Sequence, residues 1–521
     1  MKIFLVLFLM LALSACEPAR MALSPTGLPQ PPNPEQNDDY YESDDIGAYA
    51  PVELPQITHI ATDDGVLRLS MRHPLTLNPL LNQDVTVARI LRLMFEPLIT
   101  FDENFRPVGH LAEIEFASDF SSVILQIRND AFWSDGTPVT AEDIIFSVNT
   151  LRAAPQAAIY RHKVDNIDAI TTLGTRRVQV YFVDAAVNAA SSLNFPIIPH
   201  HHFRNQANSM NPIGNGSFKF ESYTSMRHIT LVQNPYTFRQ RPQMQEVEVI
   251  FSPCALTDLY AFDQGRTDAL HMPLPEWVNH HSIRQVEYEI FPAMYFEFIG
   301  FNFEREMFHN VQVRRGIAHA FDACNIVAAA YLDHAARATA PIHPYYWAAG
   351  ELARISYDPA RGRALLNAVN IYQPLIILAN SDNLQRVSIA QSLAQSLTAI
   401  GIPALAEILH YAEYFDRLES GSFDLFIGGV KLDFTPDASF FFQGGFYIED
   451  TVLAASWNAI GQTFTEAAYL QSIQNFQQNF VDRLPVIGLA FRHSAILTNN
   501  RFVQENAPAP DNVLGNVNRW R

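Results

Sequence analysis

Residues 128–151 restrict the fold more narrowly than any other stretch of the chain. Trp133 and the turn 134–138 follow an apolar-rich run at 123–128, which predicts a strand that ends in a tight turn. Gly136 can supply a positive φ in that turn, and a proline closes it. The local chemistry therefore specifies a strand and a turn but does not indicate a function.

A helix is predicted directly after this turn. Thr140 is a typical N-cap, and Asp143 stands three residues later, where a carboxylate can accept the backbone N–H of the cap. Glu142 and Asp143 also favour the positive end of the helix dipole. Ile144, Ile145, Val148 and Leu151 then follow at helical spacing.

Length and charge exclude several classes of protein. The 521 residues exceed what one hydrophobic core supports, so we expect two or three packed lobes. With 48% hydrophobic and 17% charged residues, the composition is that of a globular protein. A net charge of −19 repels nucleic acid, and no Lys/Arg stripe is present to neutralise phosphates, so no nucleic-acid partner is expected.

The amino-terminal segment predicts export. Lys2, an apolar run at residues 3–13 and a small-residue cleavage site indicate a signal peptide at residues 1–16. The end of this segment resembles a bacterial lipobox, which predicts lipidation of Cys16 and a membrane anchor; the alternative is an ordinary leader with an incidental cysteine. Residues 17–57 are rich in proline and acidic residues and predict a disordered tether.

Strand-like and helix-like runs alternate from about Gly65, which predicts an α/β protein of at least two lobes. Strands are expected at 67–71, 177–181, 295–302, 375–379 and 423–427, with the last running out into Gly428 and Gly429. Helices are expected at 85–95, 311–330, 359–367 and 384–400, with Gly401 closing the last.

Two cysteines, Cys254 and Cys324, lie outside the leader. In an exported protein they could pair, but sequence spacing does not bring their Cα atoms within reach, and two buried free thiols are the preferred interpretation. No Cys/His spacing indicates a zinc site.

Several ordered motifs resemble the family 5 extracellular solute-binding proteins, the oligopeptide, dipeptide and nickel receptors of ABC importers. The motifs cover roughly residues 65–521 and lie at 92–98, 101–104, 111–113, 133–147, 211–220, 231–236, 313–322 and 357–359. The resemblance implies a bilobed fold, type II of the periplasmic binding proteins, with an added small domain. It implies a monomer that binds a peptide or another small solute, delivers it to permease subunits and needs no cofactor.

The same resemblance suggests domain boundaries. Residues 58–98, 206–300 and 486–521 would form lobe I, residues 99–205 the added small domain, and residues 301–485 lobe II. The lobes would close on the ligand about crossings near residues 300–302 and near Pro485. The protein would work outside the inner membrane, on the periplasmic or extracytoplasmic side.

Asp433 is the principal candidate ligand contact. Residues 429–437 resemble the W.aDypdP motif of peptide receptors, whose first aspartate pairs with the α-ammonium of the peptide. Val430 replaces the tryptophan and the proline is displaced, so a loop aspartate that caps or faces water is the alternative. Lys431 and Arg417 are weaker candidates for a ligand carboxylate, the alternative being solvated surface charges.

Two asparagines complete the candidate site. Asn78 stands in a loop that resembles a cleft-facing LDPl region, with a rigid loop as the preferred alternative. Asn302, at the expected crossing, could contact ligand or brace the hinge backbone.

Histidine runs at 200–202 and 280–281 raise the question of a metal. Side chains of adjacent residues in an extended segment point apart, and the first run resembles an ordinary loop of the family, so no metal site is predicted. A receptor for nickel or another small solute remains an alternative.

An enzyme is the competing class. No GxSxG elbow, HExxH pair or phosphate-binding glycine loop occurs, so the chain is predicted not to be an enzyme. A secreted glycosidase or peptidase that uses unlinked carboxylates remains the alternative, because such pairs meet only in the fold.

Overall fold

The structure is a computed structural model that describes residues 65–499, except 185, 281–284, 352–353, 370, 372 and 443–449, together with residues 511–520. The predictions for the signal peptide, Cys16 and the tether lie outside the described residues. Over the described ranges, no helix has both the length and the apolar composition needed to cross a bilayer.

Seventeen strands and eleven α-helices lie in the described part of the chain. The strands are β1 (Val66–Met71), β2 (Ile99–Phe101), β3 (Pro107–Gly109), β4 (Ala112–Phe116), β5 (Ser122–Ile127), β6 (Ile167–Gly174), β7 (Arg177–Phe182), β8 (Phe218–Thr224), β9 (His228–Gln233), β10 (Glu246–Phe251), β11 (Ala269–Met272), β12 (Val286–Phe301), β13 (Ala335–Arg337), β14 (Leu375–Asn380), β15 (Ala404–Leu409), β16 (Leu425–Lys431) and β17 (Val486–Asn499). The helices are α1 (Val85–Met94), α2 (Ala141–Ala153), α3 (His200–Phe203), α4 (Ala255–Asp263), α5 (Val311–Ala320), α6 (Ala323–Ala330), α7 (Pro359–Leu366), α8 (Leu384–Ala399), α9 (Tyr411–Glu419), α10 (Thr451–Ile460) and α11 (Glu466–Arg483).

These strands form three sheets and one hairpin. A four-stranded sheet has the order β1-β10-β9-β8, and a second four-stranded sheet has the order β4-β5-β7-β6. The largest sheet has the order β11-β17-β12-β16-β14-β15, with β13 on β17, and β2 pairs with β3. Parallel pairs (β1 with β10, β14 with β15 and β16) occur beside antiparallel ones, so the fold is a mixed α/β architecture.

Two long strands connect two hydrophobic cores. β12 and β17 are antiparallel neighbours from Val286 opposite Asn499 to Gly300 opposite Val486. Phe291 of β12 belongs to the core beneath the two four-stranded sheets. Ile299 of the same strand belongs to the core on one face of the largest sheet. We call the body around the first core the first lobe and the body around the rest of the largest sheet the second lobe. Both lobes therefore share β12 and β17.

The carboxyl-terminal segment packs on the first lobe. Val513, Leu514, Val517 and Trp520 are buried in the same core as β1 and α1. Asp511 lies 3.8 Å from the guanidinium of Arg92, and both side chains are buried. The end of the chain thus stabilises the first lobe.

The predicted turn and helix at residues 128–151 are confirmed. β5 ends at Ile127, Gly136 has a φ of +86°, and α2 begins after Thr140. The carboxylate of Asp143 accepts the Thr140 backbone N–H at 2.9 Å and the Trp133 indole N–H at 3.1 Å. One buried carboxylate therefore fixes both the helix start and the preceding turn.

Three expectations were wrong. Residues 311–330 form two helices, because Phe321 is extended and the Asp322 side chain caps α6 by accepting the Asn325 N–H at 3.2 Å. β16 begins at Leu425 and continues through Gly428 and Gly429 to Lys431. Cys324 is a free, exposed cysteine rather than a buried thiol, and it does not pair with Cys254.

β16 continues through Gly429, which lies beside a buried ion pair. Only glycine fits at this position of the strand. A Cβ on Gly429 would lie 2.4 Å from Nη2 of Arg386 and 2.5 Å from Oε2 of Glu297. Arg386 Nε donates to Glu297 Oε2 at 2.9 Å. The small residue in β16 therefore provides the space in which α8 and β12 form this pair.

The carboxylate of Glu96, in the turn after α1, contacts His110 and Arg239 and stabilises this turn. It is buried, its Oε2 lies 2.7 Å from Nε2 of His110, and its Oε1 accepts from Arg239 Nη1 at 3.1 Å. Burial alone would raise the pKa of Glu96, but Arg239 and His110 lower it from 4.5 to about 2. The ionised carboxylate therefore stabilises the fold above pH 4.5, and this contribution is lost as the pH falls from 4.5 toward 2.

We expect Glu96→Gln to lower the free energy of unfolding by about 2 kcal/mol at pH 7 and to have little effect near pH 2. Urea unfolding of both proteins across this pH range measures the difference. Glu115→Gln is the control, because Glu115 pairs with Arg177 at the exposed surface. A loss of stability in Glu96→Gln that stays constant across the pH range would contradict the assignment of this pKa.

Candidate functional site

Asp433 forms an ion pair that joins the two lobes. It follows β16 in the second lobe, where the Leu432 N–H donates to Met294 O at 2.7 Å. Its carboxylate Oδ2 accepts from the ammonium of Lys163, which lies in the 3-10 helix Arg161–Val164 of the first lobe. Nε2 of His162 lies 3.4 Å from the same oxygen.

This pair is well shielded from solvent. The Lys163 side chain is 8% exposed and the Asp433 side chain is 21% exposed. Burial alone would raise the pKa of Asp433, but the charges of Lys163 and His162 hold it far below its usual value of 3.8. Asp433 is therefore an ionised acceptor that already binds an ammonium group.

Aromatic rings pack around Phe434, the residue that follows Asp433. Phe434 stacks on Phe101 with 5.0 Å between ring centroids and meets the edge of Phe105 at 5.6 Å. Arg106, next to Phe105, lies over the ring of Trp347 at 3.9 Å. Because Phe101 ends β2, and Phe105 and Arg106 lie in the loop that joins β2 to β3, this hairpin packs against the second lobe at the lobe boundary.

The other site residues predicted from the sequence have different surroundings. Lys431 is exposed, two residues before Asp433, and stands opposite Tyr295 of β12. Arg417 donates to Ser422 O at 3.0 Å and lies 2.8 Å from Glu407, which places it in a surface loop contact. Lys431 and Asp433 are thus neighbours through the sequence alone, whereas the Arg417 side chain makes its contacts elsewhere.

The side chains of both asparagines hydrogen-bond to backbone groups. Asn78 is fully buried, donates to Ala207 O at 2.8 Å and accepts the Leu80 N–H at 3.0 Å. Asn302 donates to Phe423 O at 2.8 Å and accepts the Glu304 N–H at 3.0 Å. These contacts favour the bracing alternative for each residue over direct ligand contact.

One group of possible metal ligands lies within the described residues: Asp143, His200 and His201, whose nearest ligand atoms fall within 4.8 Å of one another. Asp143 Oδ1 accepts the His200 backbone N–H at 2.9 Å, and Oδ2 is used by Thr140 and Trp133. Nε2 of His201 lies 2.9 Å from Asp135. These partners explain the group as a cap that holds α3, so it does not support a metal site.

Sequence reasoning missed Lys163 and His162. A usable signal was present, because lysine is rare: the chain has lysines only at positions 2, 163, 219 and 431. Two of these four lie at the lobe boundary beside Asp433. In a chain that places arginine at most cationic positions, a lysine is thus a candidate for a specific contact.

Comparison with known proteins gives the fold and the family. The structure aligns with the ABC transporter substrate-binding protein CtaP of Listeria monocytogenes with a TM-score of 0.77 at 17% identity, over 87% of this chain and 98% of that one. The oligopeptide-binding protein AppA of Bacillus subtilis is 21% identical over 399 residues, 71% of this chain and 74% of AppA. The AppA structure, solved with a nonapeptide, aligns with a TM-score of 0.66 over 87% of this chain and 98% of that one at 18% identity. The predicted α/β, bilobed binding-protein fold is confirmed by these structures.

A Brucella ovis protein named for peptide binding in an ABC transporter is 22% identical over 328 residues, 59% of this chain and 62% of that protein. The match therefore spans less than two thirds of that relative. The family model for the middle part of the bacterial extracellular solute-binding proteins, family 5, matches residues 106–448. This match includes α2, Asp143 and Asp433. Because it covers more than half of the chain, this protein belongs to the family 5 bacterial extracellular solute-binding proteins.

Proposed function

We propose that the chain is the solute receptor of an ABC importer, which captures a peptide or a similar small solute between its two lobes and delivers it to permease subunits. The family and the names of the Brucella and Bacillus relatives support this role. The receptor catalyses no reaction. Its work is differential binding, in which ligand stabilises the closed arrangement of the lobes.

The ion pair between Asp433 and Lys163 carries this proposal. It joins residues 270 positions apart, one from each lobe. The ammonium of Lys163 has the chemistry of a peptide's α-ammonium, so an ammonium fits against Asp433 when the lobes are together. We infer that a ligand's ammonium takes this place in the loaded receptor and that Lys163 holds it otherwise. β12 and β17 would then be the hinge, because both lobes share them.

The proposed receptor is exported and anchored by lipid at Cys16, on the periplasmic or extracytoplasmic side of the membrane. The n-region, apolar run and lipobox-like end support this proposal. Metabolic labelling with a palmitate analogue tests it: wild-type protein should incorporate label and Cys16→Ala should not. Label in both proteins, or in neither, would reject the anchor.

Native mass spectrometry of the purified protein tests the receptor role. We expect a population with added mass in the range of small peptides, and loss of this mass after the protein is unfolded, dialysed and refolded. The refolded protein should recover the added mass from a peptide digest. If the purified protein carries no added mass and the refolded protein takes up none, the receptor role is wrong.

A further inference from the structure

Three cationic side chains lie where the hinge strands meet the first lobe. Lys431 of β16 stands opposite Tyr295 of β12. The guanidinium carbon of Arg492 in β17 lies 3.9 Å from the centre of the Tyr295 ring. The positive charge of Arg89, on α1 in the first lobe, also acts on Tyr295. We call Arg89, Lys431 and Arg492 the cationic cluster.

The cationic cluster is short of counter-ions. Arg492 is 2% exposed, and its Nε has no hydrogen-bond partner within the part of the chain that the structure describes. Its nearest carboxylate, Glu297, is 3.7 Å away and is held by Arg386 at 2.9 Å. Among the described residues, neither Arg89 nor Lys431 forms a side-chain hydrogen bond or an ion pair. Arg492 is therefore a buried cation that shares its one nearby carboxylate, and burying such a cation costs free energy that a bound anion would recover.

The electrostatic surroundings agree with this geometry. Burial alone would raise the pKa of Tyr295, but Lys431, Arg492 and Arg89 together lower it below its usual value of 10.0. Burial lowers the pKa of His271, and the same three cations lower it further. The positive potential of the cluster therefore extends to Tyr295 of β12 and His271 of β11.

The local charges indicate the charge of the ligand. The nearby carboxylate of Asp258 is neutralised by Arg72 at 2.9 Å. Asp84, the N-cap of α1, is the remaining carboxylate whose charge acts on Arg89. Three cations against one such carboxylate leave an excess of two positive charges. A solute with two carboxylates would match it.

We propose that the cationic cluster of Arg89, Lys431 and Arg492 is the anion-binding part of the cleft, and that the solute is acidic and carries two carboxylates. This inference rests on the proposed receptor function. It adds Arg89 and Arg492 to Lys431 as binding residues and assigns the solute to the dicarboxylates or acidic peptides. Arg89 and Lys431 belong to different lobes, so a dianion bound to both would also hold the lobes together.

Glutarate is the minimal probe, with acetate as the monoanion and ionic strength held constant with salt. Thermal unfolding should show a saturable rise in Tm of the wild type with glutarate and a much smaller one with acetate. In the double variant Arg89→Gln/Lys431→Gln, the apparent affinity for glutarate should fall by about tenfold or more. Neither replaced side chain forms a hydrogen bond or an ion pair with a described residue, so this variant removes no such polar contact.

The matched control is Lys219→Gln/Arg227→Gln, which removes the same charge from β8 and the following turn of the first lobe. Its glutarate response should equal that of the wild type. No saturable response in the wild type, or equal responses in all three proteins, would overturn the proposal. The two proposals can fail separately. If only the receptor role is wrong, glutarate binding will still depend on the cationic cluster, but the purified protein will carry no solute and take up none.

Discussion

Arg386→Met is expected to lower the free energy of unfolding by about 3–5 kcal/mol, because it leaves Glu297 charged and buried. Arg386 donates to both carboxylate oxygens, at 2.9 Å from Nε and 3.3 Å from Nη2, and Glu297 is fully buried. Burial alone would lower the pKa of Arg386, but Glu297 raises it above its usual value. Urea unfolding at neutral pH measures the loss.

Arg417→Met is the matched control. Arg417 also pairs with a glutamate at 2.8 Å, but its side chain is 31% exposed and that of Glu407 is 27% exposed. The control should lose about 1 kcal/mol or less. If Arg386→Met loses no more than this control, then Arg492, at 3.7 Å, neutralises Glu297 alone. The cationic cluster would then have one positive charge fewer to offer a ligand.

Local chemistry explains which elements the sequence could predict. Gly136 and Gly401 have positive φ, and Asp358 caps α7 by accepting the Arg361 N–H at 3.0 Å. Each of these features depends on residues within four positions of one another. The single helix expected at 311–330 was wrong because the apolar spacing continued across Asp322, whose capping side chain starts a new helix.

Long-range contacts explain what the sequence could not show. Gly428 and Gly429 suggested the end of a strand, but the buried pair that requires Gly429 comes from β12 and α8. The partner of Asp433 is 270 residues away. The sequence resemblance pointed to Asp433, Lys431, Asn78 and Asn302, and their ligand roles remain predictions. Arg89 and Arg492 belong to no motif, and only the fold makes their charges act on Tyr295 together with that of Lys431.

Asp433→Asn is expected to weaken binding of an acidic dipeptide such as Ala-Glu by up to about a hundredfold. The charge-assisted hydrogen bond to the α-ammonium is worth about 1.5–3 kcal/mol, and the asparagine amide cannot replace it. Lys163→Met should have the opposite effect and strengthen binding by about tenfold, because the peptide no longer displaces a protein ammonium. Calorimetric titration of the wild type and both variants measures these changes.

The acetylated dipeptide separates this explanation from a general change in the cleft. Acetyl-Ala-Glu keeps both carboxylates but has no ammonium, so its affinity should be similar in the wild type and in Asp433→Asn. Lys219→Met is the control for loss of a lysine, since Lys219 lies in β8, away from the pair. If Lys163→Met instead weakens binding of both dipeptides equally, the main role of the Lys163–Asp433 ion pair is to hold the lobes closed. Asp433 would then contribute to closure rather than to recognition of the ammonium, and the specificity of the cleft would depend on the cationic cluster.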